Sequence, residues 1–267
     1  MARRDLAGVD GVGVSGERHP IPDRLEPFLD SGDLLDDPER LRRRFAREGY
    51  LFVRGLLPRE DVTPMAELVL RTAIQTGFVA PDGTPRRSTP PYDDPEYVRL
   101  QQVAYPSVEM DAMRRHPRLQ AILRALVGDD IGMGRGDIVR VRAPGARTRP
   151  HQDRNYLPGD QALVAAWFPL FPCPVVHGPI AVLPGSHVHG LLPHAGPVRS
   201  EEGVAEVPSG VWRSNDLFPG DAVLFGDFTV HQGLPTTAEV TRLSVDFRFS
   251  AGGGVPPSAF GSSAQDQ

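Results

Sequence analysis

A mostly β fold with flanking helices, a barrel or jelly roll, is the class this sequence predicts. Three observations carry it. Residues 131–250 break into short apolar runs, DIVRVRA, ALVAAWFPL, GPIAVLP, DAVLFGD and RLSVDFRFS, set among the turn sequences APGA, LPGD, LPGS and FPGD. Many short strands joined by regular turns build sandwiches and closed sheets. The runs do not alternate with long amphipathic helices, which argues against a Rossmann sheet, and the helical periodicity sits in the first half of the chain.

Residues 1–20 are rich in Gly, Arg and Asp without periodicity and read as a disordered arm. DDPERLRRRFAREGY then opens a helix: Asp37 is an N-cap, Pro38 fits the first helical position, Leu41 and Phe45 share a face, and Gly49 stops it. YLFVRGL (50–56) reads as a strand. PREDVTPMAELVLRTAIQTG is a second helix, with Met65, Leu68, Val69 and Ala73 spaced for one buried face. Residues 78–110 show little periodicity, and a loop of that length in a compact domain is often functional, for example a lid. HPRLQAILRALVGDD is a third helix, ended at Gly128. The strands follow, and 251–267 reads as a flexible tail, so residues 21–250 are expected to form a single domain.

The 267 residues suffice for one sizeable core. A net charge of −5 makes a polyanion an improbable partner, and no apolar run is long enough to span a bilayer, so neither nucleic acid nor membrane is expected. The single cysteine, Cys173, forms no internal disulfide and points weakly to a reducing cytoplasm; it reads as packing. Every one of the 29 basic residues is Arg, as a GC-rich genome would produce.

The chemistry starts from RPHQDRNY (149–156). On a strand or its extended end, His151 and Asp153 point to one face. An imidazole and a carboxylate aimed together make two-thirds of the facial site of nonheme Fe(II) oxygenases, whose third ligand is a distant His. In isolation the same triplet also suits a polar turn. His231 is the candidate third ligand, 78 residues after Asp153 and just past an apolar strand. Arg242 lies 11 residues further on, with Ser244 at i+2 on the same face. A planar guanidinium with a neighbouring hydroxyl suits the distal carboxylate of a dicarboxylate whose other end chelates the metal.

With these pieces in place, the chain resembles the phytanoyl-CoA dioxygenase-like (PhyH) branch of Fe(II)/2-oxoglutarate-dependent oxygenases. The resemblance rests on HQD at 151–153, GPIAVLPGSHVHG at 178–190, PGDAVLFGDFTVHQG at 219–233, Arg242, and EGYLFVRGLLPRED at 48–61, in that order. It implies a double-stranded β-helix, a cupin-like jelly roll with helices on one side. It implies His151, Asp153 and His231 as iron ligands, Arg242 as the 2-oxoglutarate anchor with Ser244 beside it, and Trp167 lining the cosubstrate pocket. The cofactors implied are Fe(II), 2-oxoglutarate and O2, with ascorbate an aid in vitro. The implied reaction is oxidation of a small molecule, hydroxylation by default, with succinate and CO2 as co-products. Asp153 argues against a halogenase, in which a small residue replaces that carboxylate. Members of the family in GC-rich actinobacterial-type genomes often tailor secondary metabolites.

Alternatives remain open: epimerisation, desaturation or oxidative cyclisation on the same metal; a non-catalytic 2-oxoglutarate or metal-binding module; a zinc cupin-like hydrolase or isomerase. No obligate protein partner is evident. For the substrate, Arg140 and Arg142 share one face of DIVRVRA and face either the pocket or solvent. Gln101, Tyr156 and Arg213, the last in the 191–216 loop, are further candidates, with Arg99 beside Gln101. HVH at 187–189 is read as a turn element in which His187 holds the loop.

Overall fold

The acidic cap followed by proline does what its chemistry allows. Asp37 accepts a hydrogen bond from the Arg40 amide, and Pro38 opens α1, Pro38–Glu48. The computed structural model describes residues 25–133, 136–157, 159, 161–195 and 203–251, so the expected arm at 1–20 and the tail from 252 onward lie outside the described residues. The other helices are α2, Arg59–Gln75; α3, Pro95–Ala104; α4, Val108–Arg114; and α5, Pro117–Val127. Among the described residues no helix is long and apolar enough to cross a membrane.

Helix α3 corrects the reading of 78–110 as a loop throughout. Asp94 caps it through the amides of Glu96 and Tyr97, and Pro95 is its first residue. YDDPEY therefore repeats the cap that DDPER supplies to α1; the Pro- and Arg-rich approach masked it. Residues 80–94 remain without a helix or strand.

Among the described residues eleven strands follow in chain order: β1, Leu25–Glu26; β2, Tyr50–Val53; β3, Ile131–Met133; β4, Ile138–Arg142; β5, Thr148–His151; β6, Leu163–Pro169; β7, Ile180–Val182; β8, Trp212–Arg213; β9, Ala222–Gly226; β10, His231–Gly233; and β11, Arg242–Ala251. They form two sheets. The smaller runs β1-β8-β7-β10-β5, and the larger runs β2-β9-β6-β11-β3 with β4 also paired to β11. Two facing sheets with crossed strand order are the predicted jelly roll.

Alternation along β11 divides the larger sheet into two chemistries. Leu243, Val245, Phe247 and Phe249 face outward into the principal core, with Val139, Val141, Val164, Ala166 and Phe168 beside them and α1, α2 and α5 above. The even-numbered residues Arg242, Ser244, Asp246 and Arg248 face inward and are all buried. Between the sheets, one end is filled by a second apolar cluster that includes Phe28, Tyr50, Phe52, Trp167 and Phe225. Cys173 belongs to it, as expected, and burial pushes its thiol up to about 11. The other end of the inter-sheet space is polar.

Gly49 ties the helical layer to that polar end. It ends α1 at φ 77°, and its carbonyl accepts from the Gly226 amide at 3.1 Å and from Thr229 Oγ1 at 2.7 Å. A Cβ there would lie 2.5 Å from His187 Nδ1 and 2.7 Å from Thr229 Oγ1. Gly49→Ala therefore combines left-handed strain with a clash, and urea unfolding should show a loss of about 1–3 kcal/mol or more. His187 holds the loop as predicted, its Nε2–H donating to the Ala46 carbonyl at 2.9 Å.

Candidate metal and cosubstrate site

Strand pairing brings the two histidines together. β5 and β10 run antiparallel with His231 directly opposite His151, and the two ring centroids are 4.1 Å apart. Gln152 keeps extended backbone at φ −119°, ψ 132°, so Asp153 still points to the side of His151 although it already begins a 3-10 turn, Asp153–Asn155. One ligand atom from each of His151, Asp153 and His231 falls within 4.8 Å of the others, and all three residues are buried.

Each donor is fixed by a partner behind it. The Nδ1–H of His151 donates to the Arg149 carbonyl at 2.8 Å, and that of His231 to the Thr229 carbonyl at 3.0 Å. Both bonds leave Nε2 as the free lone pair, turned toward Asp153 Oδ1 at 3.9 and 3.7 Å. Burial lowers both histidines' affinity for a proton, His151 further because His231 adjoins it, so both rings are neutral at neutral pH. Asp153 behaves oppositely. Burial alone would raise its pKa, but Arg248, with smaller contributions from the histidines, holds it well below the carboxylate range.

Arg248 grips both oxygens of Asp153, Nε to Oδ2 at 3.1 Å and Nη2 to Oδ1 at 3.3 Å, and its Nη1 donates to Asp246 Oδ2 at 3.3 Å. Asp246 also accepts from Arg140 Nε at 2.6 Å. A buried chain Arg140–Asp246–Arg248–Asp153 thus backs the three donors. Asp246 and Arg248 are not among the candidates read from the sequence; the available signal was their i+4 and i+6 spacing from Arg242 on one strand.

Gln152, also unassigned from sequence, bolts this turn down. Its Nε2 donates to the Gly190 and Phe228 carbonyls at 2.8 and 2.6 Å, and its Oε1 accepts from the Leu192 amide at 2.8 Å.

Arg242 stands apart from that chain. It is buried, its Nη1 donates to Ser244 Oγ at 2.7 Å, and its guanidinium lies 5.6 Å from the Trp167 ring. Its Nε has no hydrogen-bond partner, and among the described residues no carboxylate lies within 4.0 Å of it. Burial lowers its pKa to about 10, so it remains a cation at neutral pH. A narrow cleft connects it to the donors, lined by Trp167, His151, His231, Arg140, Thr148 and Asp246 among others. Trp167 lines this cleft and also packs in the second apolar cluster.

Residues 45–244 match the phytanoyl-CoA dioxygenase (PhyH) family. The chain belongs to that family. It is 29% identical over 248 residues to the 1-deoxypentalenic acid 11-beta-hydroxylases of Streptomyces arenae and of Streptomyces exfoliatus, an overlap of 85% of this chain and 86% of each relative. Its fold is shared with two solved structures from nogalamycin biosynthesis. The epimerase SnoN, in complex with Fe3+, alpha ketoglutarate and nogalamycin RO, matches at TM-score 0.59 and 21% identity, over 80% of this chain and 84% of that one. The carbocyclase SnoK matches at TM-score 0.60 and 19% identity, over 79% and 83%. Membership of the PhyH family makes the chain an enzyme of the oxygenase class.

In this PhyH enzyme a cavity of about 900 Å³ opens over His151 and Asp153. Its lining settles the orientation left open for β4: Ile138, Arg140 and Arg142 face inward. Tyr156 lines it too, its ring edge-on to His151 at a centroid distance of 5.4 Å. Tyr92, from the 80–94 segment, reaches the same cavity and accepts from Arg140 Nη1 at 3.1 Å.

Two substrate candidates are corrected. Gln101 lies on α3 in the helical layer, where its Oε1 accepts from the Val139 amide at 3.0 Å and its Nε2 donates to the Val139 carbonyl at 2.7 Å. It satisfies the outer side of β4, and Arg99 of the same helix pairs with Glu96 at 3.7 Å. Because Pro95–Ala104 is helical, a strand's period of two does not turn Gln101 and Arg99 toward the pocket. Arg213 sits near the end of the smaller sheet, bonded to Glu26 at 3.2 Å and to the Pro27 carbonyl at 2.8 Å, away from both cavities. The loop it was read with extends through 196–202, outside the described residues.

Proposed function

We propose that this PhyH enzyme is an Fe(II)/2-oxoglutarate-dependent dioxygenase that oxidises a small molecule, hydroxylation being the default outcome, in the tailoring of a bacterial secondary metabolite. The observation that carries the reading is the pairing of two incomplete sites. Three convergent donors, two neutral imidazoles and one ionised carboxylate, lie at one end of a cleft. A buried arginine with no carboxylate partner among the described residues lies at the other.

The residues fit both groups. Two nitrogens and one oxygen on one side are the facial set suited to iron(II), and they leave room for further ligands. The unpartnered Arg242 Nε and the Ser244 hydroxyl suit the distal carboxylate of 2-oxoglutarate, with Trp167 alongside. On this reading His151, Asp153 and His231 hold the metal, and Arg242, Ser244 and Trp167 seat the cosubstrate. Bound iron, with 2-oxoglutarate and O2, supplies oxidative decarboxylation to succinate and CO2 and the oxidising power that removes a substrate hydrogen. The chain's own residues do the rest. The Arg149 and Thr229 carbonyls set the tautomers of the histidines, Arg248 keeps Asp153 charged, and the apolar wall of Trp167, Ile180 and Phe225 keeps water from the cleft. Hydroxylation as the default is supported by the activity named for the two Streptomyces relatives; SnoN and SnoK show that one fold carries other outcomes.

The test is anaerobic. Protein with Fe(II) and 2-oxoglutarate should give the visible metal-to-ligand charge-transfer band, and His231→Ala should abolish it. Admitting O2 should release succinate even without substrate. A wild-type protein that shows neither the band nor succinate would overturn the reading, and zinc-dependent turnover without 2-oxoglutarate would replace it with a hydrolase or isomerase.

A further inference from the structure

β4 and β11 pair so that Arg142 stands directly opposite Arg242, and Arg140 opposite Ser244. Like charges directly across a ladder repel each other. The third arginine of this group, Arg140, is neutralised by Asp246 at 2.6 Å. Arg142 is not. Its Nη2 donates to Thr148 Oγ1 at 2.8 Å, its Nε is buried without a partner, and among the described residues no carboxylate lies within 4.0 Å of it. The cross-strand pair thus holds two cations with no carboxylate partner among the described residues, and 2-oxoglutarate brings only one distal carboxylate.

The two arginines open into different spaces. Arg242 lines the narrow cleft with Trp167, whereas Arg142 lines the larger cavity over His151 and Asp153 and not the cleft. That cavity also carries Arg147 and Arg149. Among the described residues its one lining carboxylate, Asp153, is already gripped by Arg248. The rest of the wall mixes apolar and aromatic surface, Ile138, Leu157, Tyr92 and Tyr156. A cationic anchor at one side of a cavity with an apolar wall fits an amphiphilic guest.

We propose that Arg142 anchors a carboxylate borne by the substrate, so that the substrate class is an apolar carboxylic acid bound with its hydrocarbon body over the metal donors. This rests on the function proposed above and adds the substrate class to it. A single carboxylate is enough for the site: Thr148 already takes one donor of the fork, leaving one bidentate edge for two carboxylate oxygens.

The experiment uses the anaerobic Fe(II)·2-oxoglutarate holoenzyme and matched probes. Apolar monocarboxylates from benzoate to adamantane-1-carboxylate are each paired with the corresponding carboxamide. Binding is read by calorimetry and by perturbation of the charge-transfer band. At least one acid should bind the wild type roughly ten- to a hundredfold more tightly than its amide, as a charge-assisted contact provides. Arg142→Gln should remove that difference by weakening the acid and not the amide, with 2-oxoglutarate affinity unchanged. Arg142→Lys, which keeps the charge without the fork, should retain part of it. Two results overturn the proposal: no acid preferred over its amide by the wild type, or Arg142→Gln weakening 2-oxoglutarate as Arg242→Gln does. Failure of the band to form at all is a separate result, and it falls on the metal and cosubstrate reading.

Discussion

Arg242→Gln is expected to raise the dissociation constant for 2-oxoglutarate by roughly two to three orders of magnitude while leaving the protein without cosubstrate at least as stable as wild type. The first part follows from two charge-assisted hydrogen bonds, each contributing about 1.5–3 kcal/mol in a buried setting. The second follows from what Arg242 lacks. It is a buried cation whose only side-chain hydrogen-bond partner among the described residues is the Ser244 hydroxyl, and burial has already lowered its pKa to about 10. An uncompensated buried charge opposes folding, and a neutral amide of similar length relieves that opposition. Titration of the anaerobic charge-transfer band reads the affinity, and thermal unfolding reads the stability. Added 2-oxoglutarate should raise the melting temperature of the wild type by linkage and leave that of the variant nearly unmoved. A variant that binds 2-oxoglutarate normally would remove Arg242 from the site. One that unfolds without cosubstrate would make it a structural residue instead.

Arg248→Gln should do the reverse and damage both stability and metal binding. Two buried carboxylates, Asp153 and Asp246, share this guanidinium. Removing one partner of a buried pair costs about 3–5 kcal/mol, and Arg140 remains to hold Asp246, so the lower end is expected. Loss of a group that orients a metal ligand typically weakens metal binding roughly 10- to 100-fold. The pH dependence has a definite sign. Burial raises the pKa of Asp153 and Arg248 more than offsets it, leaving the folded value below the ordinary 3.8. Such a group contributes stability that is present above its unfolded value and lost as the pH falls through the folded one. Without Arg248 the folded value rises, so Fe(II) should be released at higher pH in the variant than in the wild type. Fe(II) titrations at several pH values read this, and partial rescue by Arg248→Lys would separate lost charge from lost packing. Unchanged metal affinity across pH would show that Arg248 is a scaffold residue only.

Much of the fold was legible because local chemistry and tertiary outcome agree. Asp37-Pro38 and Gly49 bound a helix wherever they occur, and the period of two in RLSVDFRFS survives in β11 without a slip. The missed elements were short or disguised. β1 and β8 are two residues each, and they are strands through long-range pairing, β1 with β8 and β8 also with β7. Helix α3 carried a full capping signal inside a Pro- and Arg-rich stretch whose composition pointed to a loop. Gln101 was misassigned with it, since a wrong period puts a side chain on the wrong face.

The sequence by itself determined the donor chemistry. His151, Asp153, His231, Arg242 and Ser244 could be named because their types and their order along strands limit what they can bind. Only the tertiary structure decided how those groups are charged and held. Whether Arg140 and Arg142 face a cavity depends on which side of β11 the helices cover. That Arg140 is neutralised, Arg142 and Arg242 are not, and Arg248 clamps Asp153 depends on strands about 100 residues apart meeting in one register. Electrostatic partnership is set by distance and burial, and neither is a local property of the chain.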